Sequence, residues 1–347
     1  MKKSLIALAV LAASGAAMAQ SSVTLFGIVD AGVARLKGSD AHRNGLSTSG
    51  LNSSRLGFRG TEDLGGGLSA GFHLEGALNP DDGTGAAAGG GFNFQRRSTV
   101  SLNGAFGEVR LGRDYAPSFW NATVFDPFGT VGVGGAQTAA MLGAPVRNSN
   151  SVGYFLPGNL GGFYGQAQYA FGENASNTNI DNGNYWGLRG GYAQGPLNVA
   201  AAYGKLETGT TLATKGDTKA TNLGVSYNFG VATPMFMWVQ EKAKVGVAPE
   251  TKQNAWLIGA TAPIGAGEVR AAYSRYDLKG SPNDFRKFSI GYVHNLSKRT
   301  ALYTTYARVT NKGAANNLVS TGGLSAAGLN TAGRNTSGIE FGVRHSF

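Results

Sequence analysis

Apolar and polar residues alternate along this chain with a period of two, segment after segment. Near the end, Ile339, Phe341, Val343, His345 and Phe347 occupy one parity, and Gly338, Glu340, Gly342, Arg344 and Ser346 the other. Successive strand side chains point to opposite faces, so this is a strand with one apolar side. The same pattern sets Val23, Leu25, Val29, Ala31 and Val33 against Thr24 and Asp30. It returns in Leu56 and Phe58 against Arg55, Gly57 and Arg59, in Ala70, Phe72 and Leu74 against His73 and Glu75, and in Leu223, Val225, Tyr227 and Phe229 against Asn222, Gly224, Ser226 and Asn228. The apolar parity carries very few charges. Lipid explains that scarcity better than a soluble core does, because a Lys or Arg facing mid-bilayer costs roughly 2–4 kcal/mol.

The connections between these segments fall into two kinds. Short ones hold tight-turn residues: Gly65-Gly66-Gly67, Asn103-Gly104, Pro157-Gly158-Asn159, Gly195-Pro196, and the stretches 230–234, 264–267 and 295–299. Longer polar ones lie between them, at 37–53, 79–91, 116–148, 173–183, 207–218, 241–251, 279–283 and 311–335. Short turns at one end and long loops at the other predict an all-β fold, a 16-stranded antiparallel transmembrane β-barrel. An even strand count lets the first and last strands pair, so that no backbone edge is left open in hydrocarbon. The closing strand is then the one ending at Phe347, with that ring on the lipid side. Two apolar stretches, 235–239 and 303–306, break the alternation and are expected where the wall meets a neighbour.

Composition agrees. Glycine is 55 of 347 residues, over twice the usual share of about 7 %, and charged residues are 14 %, against about 25 % in a typical soluble domain. There is no cysteine, which removes thiol chemistry and cysteine metal sites. Lys2 and Lys3, the apolar run 5–13 and Ala17-Met18-Ala19 form a secretory leader, with cleavage expected after Ala19 and one domain expected over 20–347. The formal net charge is +10. An exported chain does not meet nucleic acid, so basic residues lining a path for anions account for the charge.

The segments SSVTLFGIVDAGV, SRLGFRGTEDLGGGLSAGFHLE, GEVRLGRDY and GVRHSF resemble the general porins of β-proteobacteria and their neisserial relatives, and the likeness covers 21–347. The resemblance implies a homotrimer of sixteen-stranded barrels in the cell outer membrane, each with its third loop folded into the pore. It implies passive diffusion of small hydrophilic solutes and ions, contact with outer-membrane lipids, and a C-terminal strand read by the barrel-assembly machinery. A channel specific for an organic acid, phosphate or a sugar is the alternative, and a barrel enzyme or an adhesin a more distant one.

The longest loop, 116–148, occupies the third position and contains FWNATVFDPFGTVGVGGAQ. It is expected to form the constriction near Asp126 and Phe128. Opposite it, Arg55 and Arg59 share the polar parity of their strand, and Arg147 ends the loop. Arg96 and Arg97 are neighbours, so one alone should face the lumen. Val100 and Leu102 outside favour Arg97, whereas the family motif favours Arg96, which is preferred here. By resemblance, Arg55, Arg96 and Arg147 match the basic cluster of the constriction. An arginine-rich pore should be mildly anion-selective. Asp30, His73, Glu75, Arg189, Arg270, Lys287, Glu340 and Arg344 share the polar parity and are expected as solvated wall residues. His42, His73, His294 and His345 have no metal-ligand spacing, and no phosphate or dinucleotide loop is present, so neither a cofactor nor a metal is expected.

Overall fold

The computed structural model describes residues 22–85, 87–137, 141–178 and 180–347, so the expected leader lies outside the described residues. All strand pairings are antiparallel, among β1 (Ser22–Lys37), β2 (His42–Thr48), β3 (Arg55–Gly65), β4 (Leu68–Asn79), β5 (Thr84–Gly85), β6 (Arg97–Gly104), β7 (Gly107–Tyr115), β8 (Arg147–Phe155), β9 (Phe163–Ala170), β10 (Tyr185–Gln194), β11 (Leu197–Thr208), β12 (Gly216–Tyr227), β13 (Thr233–Val245), β14 (Thr251–Ile264), β15 (Gly267–Leu278), β16 (Phe285–Asn295), β17 (Thr300–Asn311) and β18 (Thr336–Ser346). One edge of β1 pairs with β18, from Ile28 opposite Ser346 to Lys37 opposite Ser337. The other edge pairs with β3 and then β2, which therefore share one position in the wall. The two-residue β5 pairs with the end of β4, outside the ring. Among the described residues the ring is thus a closed barrel of sixteen strand positions.

Side-chain parity divides the wall as the alternation predicts. Val23, Leu25, Val33, Leu188, Ile258 and Phe341 are exposed on the outside, where lipid is their medium. Outward aromatic pairs occur near both ends of the strands: Trp186 with Tyr203 at 5.0 Å and Trp256 with Tyr273 at 5.6 Å near the loops, Phe163 with Tyr192 at 4.9 Å and Tyr227 with Phe229 at 4.6 Å near the turns. Such girdles sit where hydrocarbon gives way to headgroups. Gly65, Gly66 and Gly67 all adopt left-handed φ values of 82°, 61° and 80°, which side-chain-bearing residues adopt at a cost. Phe347 exchanges two backbone hydrogen bonds of 3.0 Å with Gly27, and its half-exposed ring covers that glycine on the outer face.

Two expectations need correction. The strands run further than the polar residues at their ends suggest. The stretch 37–53 is mostly the hairpin of β1 and β2, and parts of 207–218 and 241–251 belong to β11, β12, β13 and β14. Polarity there marks departure from the membrane, not departure from the sheet. The apolar stretches 235–239 and 303–306 also do not mark a neighbour on the outside by their odd positions. Met237 and Val239 point inward and are buried with Leu257, Phe125, Phe128 and Val133, under the long loop. Tyr303 points inward as well, toward Asp30.

Asp30 explains the gap between β2 and β3. Its buried carboxylate accepts from the backbone amides of Gly50, Leu51 and Asn52 at 3.3, 2.8 and 2.6 Å and from the Tyr303 hydroxyl at 2.6 Å. The chain leaves the ladder at 49–54 to deliver those amides. Asp30→Ala would leave them unpaired, and a loss of roughly 3 kcal/mol is expected. Urea unfolding of the detergent-solubilised barrel checks it; an unchanged midpoint would contradict the role.

Candidate functional site

The long loop leaves β7 through the helix α1 (Pro117–Val124) and crosses the lumen before returning to β8. Pro117 occupies the first turn, where its missing N–H costs no hydrogen bond. Ser118, Asn121 and Ala122 face the wall and are buried. Asn121 donates to Asn222 Oδ1 at 2.8 Å and accepts from Arg189 Nε at 2.8 Å, while Asn222 donates to the Ser118 carbonyl at 2.9 Å.

Beyond the helix, the loop lies on glycines of alternate strands. Phe125 covers Gly224 on β12, Pro127 covers Gly259 on β14, Phe128 covers Gly291 on β16, and Val133 reaches Gly338 on β18. A Cβ on Gly259 would stand 2.6 Å from Pro127 Cγ, and one on Gly291 would stand 3.1 Å from Phe128 Cε1. The polar face of these strands is therefore flat by composition, and the loop fills it. Wall side chains then hold the loop backbone. Glu340 accepts from Val133 N at 3.0 Å, Glu241 from Leu142 N at 2.7 Å and the Tyr276 hydroxyl from Gln137 N at 2.8 Å. Ser289 donates to the Gly134 carbonyl at 2.9 Å, and Lys287 donates to the Gly135 carbonyl.

These contacts revise the expected wall charges. Lys287, Glu340 and Arg189 are anchors for the loop rather than solvated side chains, and Glu241, expected in a loop, is one too. Asp126 and Phe128 border the cleft beneath the loop, yet they are only 4 % and 5 % exposed. The Asp126 carboxylate accepts from the amides of Phe128, Thr130 and Ala136 at 3.0, 2.8 and 2.8 Å, which folds the loop tip. Burial pushes this carboxyl above its ordinary value, and the amide bonds pull it back.

Across the open lumen, Arg55, Arg96 and Arg147 come together. Glu75 Oε1 accepts from Arg96 Nε at 2.6 Å and lies 3.4 Å from Arg55 Nη1, and His73 approaches its other oxygen at 3.4 Å. The Tyr115 hydroxyl accepts from Arg96 at 2.9 Å and from Arg147 at 2.6 Å. The guanidinium of Arg147 lies 4.2 Å above the Tyr115 ring. Both members of the Arg96–Arg97 pair reach the interior. Arg97 does so by strand parity and approaches Asp114 at 3.7 Å. Arg96 precedes β6, where the chain is not yet committed to alternation. Arg59 stands apart from the cluster, with its guanidinium 5.1 Å from the Phe26 ring.

Three clefts follow one another along this wall. The first, of 280 Å³, is bordered by Arg59, His73 and Arg97. The second, of 360 Å³, shares His73 and Arg97 with it and adds Arg55, Arg110, Tyr115 and Trp120. The third, of 460 Å³, shares Arg55, Tyr115 and Trp120 with the second and adds Arg96, Arg147 and Arg270 under the loop. Shared residues place the three clefts side by side along the wall, with basic groups bordering each. Among the described residues no cluster of His, Asp or Glu is arranged to hold a metal ion. The spacing Gly67-Leu68-Ser69-Ala70-Gly71 formally matches a serine-nucleophile motif, but Ser69 lies in β4 just after a hairpin turn, with no helix following.

Comparison with known proteins gives a consistent picture. A family model described as Gram-negative porin matches residues 5–314. The outer membrane porin protein 32 of Delftia acidovorans is 48 % identical, with 100 % of both chains covered. The major outer membrane protein P.IB of Neisseria meningitidis is 27 % identical over 93 % of this chain and 98 % of its own. A solved anion-selective porin from Comamonas acidovorans superimposes with a TM-score of 0.86 at 43 % identity, covering 94 % of this chain and 100 % of that one.

Proposed function

Because the chain belongs to the Gram-negative porin family, we propose that this outer-membrane channel prefers anions, and that Arg55, Arg96 and Arg147 set the preference. The carrying observation is the unequal fate of the interior charges. Asp30, Asp126, Glu241 and Glu340 are buried and turned toward backbone amides. Glu75 is also buried, and it faces two of the three arginines. Of the basic groups, Lys287 is buried against a backbone carbonyl, whereas Arg55, Arg97, Arg110, Arg147 and Arg270 border the clefts, where Glu108 and Asp114 are paired with Arg110. A passing anion meets fixed guanidinium forks, whose charge is permanent and whose donors match an oxyanion; a passing cation meets few free carboxylates.

The resemblance to an anion-selective porin supports this reading. Small hydrophilic solutes would pass by diffusion, without catalysis. The apolar outer faces would meet lipid, and in a homotrimer part of them would meet two further copies. The sign of the reversal potential in a KCl gradient tests the proposal. An anion-preferring sign is expected at low salt, weakening as ionic strength shortens the Debye length from about 30 Å at 0.01 M to about 3 Å at 1 M. A cation-preferring sign at low salt would refute it.

A further inference from the structure

Trp120 is out of place for a water-filled passage. Phe125 and Phe128 of the same loop are buried against the wall, whereas Trp120 is 39 % exposed. It projects from the side of α1 opposite the buried Ser118, Asn121 and Ala122. It borders both the second and the third cleft, so a solute moving between them passes along it. Around it the aromatic surface continues. Tyr115 lies 5.5 Å away with its ring tilted by 40°, and Phe119 stacks on Tyr115 at 5.7 Å with the rings 3° from parallel. The Tyr115 hydroxyl in turn takes hydrogen bonds from Arg96 and Arg147. A cluster of aromatic rings, with Trp120 exposed, and a rack of guanidinium groups therefore border the same narrowing. Arg147 has no carboxylate within ion-pair distance among the described residues.

Each half of this arrangement suits one half of a ligand. A carboxylate can take the guanidinium donors in a two-point contact, and a planar ring can lie along the indole and be withdrawn from water. Inorganic anions use only the first half. We propose that this narrowing is a binding subsite for aromatic carboxylates, holding them longer than inorganic or aliphatic anions of the same charge. The inference rests on the anion preference proposed above and adds a recognition element, Trp120, that charge alone does not supply.

Single-channel recording with benzoate, acetate and benzamide added to KCl tests it. Benzoate is expected to reduce the chloride current at concentrations where acetate, with the same charge, and benzamide, with the same ring, do not. Trp120→Ala should raise the half-blocking benzoate concentration by ~3-fold to 10-fold, the range a lost aromatic contact supplies, while Trp120→Phe should retain most of the block. Equal block by benzoate and acetate in the parent channel would overturn the proposal, and so would a benzoate block that Trp120→Ala leaves unchanged. The reversal potential of the parent in KCl alone separates the two readings. Should it show no anion preference, the charge argument fails; should it show one while benzoate behaves as acetate, only the aromatic subsite fails.

Discussion

Replacing Arg55 and Arg147 together with glutamate is expected to invert the sign of the reversal potential in a low-salt KCl gradient. At the proposed constriction, three arginines gather beside one carboxylate, Glu75, which pairs with two of them, while Arg147 bonds the Tyr115 hydroxyl. The double substitution leaves Arg96 facing three carboxylates, so the local balance turns from positive to negative. One unit charge changes the energy of a monovalent ion 4 Å away by about 1 kcal/mol even at the dielectric constant of water, and by about 4 kcal/mol at an effective value of 20. Several such units acting on anion and cation with opposite sign are enough to exchange their order of permeability. Single Arg147→Glu should bring the channel close to indifference. Arg59→Glu, farther along the wall beside Phe26, should have a smaller effect. Should the double variant remain anion-preferring at low salt, the selectivity would have to arise elsewhere along the passage.

The second large effect concerns the seat of the loop. Gly224→Leu is expected to reduce single-channel conductance severalfold. The Phe125 ring lies directly over Gly224, and a Cβ there would collide with it. Carbon atoms settle at about 3.5–4.0 Å, so the ring must leave the wall. The loop is still tied down by Asn121, Glu340, Glu241 and Tyr276. It therefore bows away from the wall, toward the arginine-lined clefts. Gly259→Leu beneath Pro127 should act in the same direction, whereas Gly230→Ala, in a turn with nothing nearby, should leave conductance alone. Normal conductance in both wall variants would show that the loop does not depend on its glycine seat.

Period-two alternation revealed the barrel because the lipid-facing side chains obey one rule, imposed by hydrocarbon. The inner face obeys several rules at once, and there the legibility ends. Met237, Val239 and Leu257 look like lipid-facing residues on the wrong parity, and only the loop lying over them explains their chemistry. Lys287, Glu241 and Glu340 look like solvated charges, because their partners are backbone groups more than ninety positions away. The glycine excess was visible as composition, but its arrangement on alternate strands under one loop depends on strand register. Arg55, Arg96 and Arg147 were picked out by resemblance, and Arg97 by parity. The either–or between Arg96 and Arg97 failed because parity governs only residues already in the ladder.

The loop is fastened to strands between β10 and β18, while most of the basic groups lining the clefts stand on or beside β3, β6, β7 and β8. Arg270, on β15, is the exception among the arginines that line these three clefts. Tasks are thereby divided between two sectors of one wall. Mutations that retune what the channel admits can accumulate on one sector without loosening the internal scaffold supported by the other. A lineage adapting to new nutrients could thus alter its permeability by small steps while each intermediate still assembles.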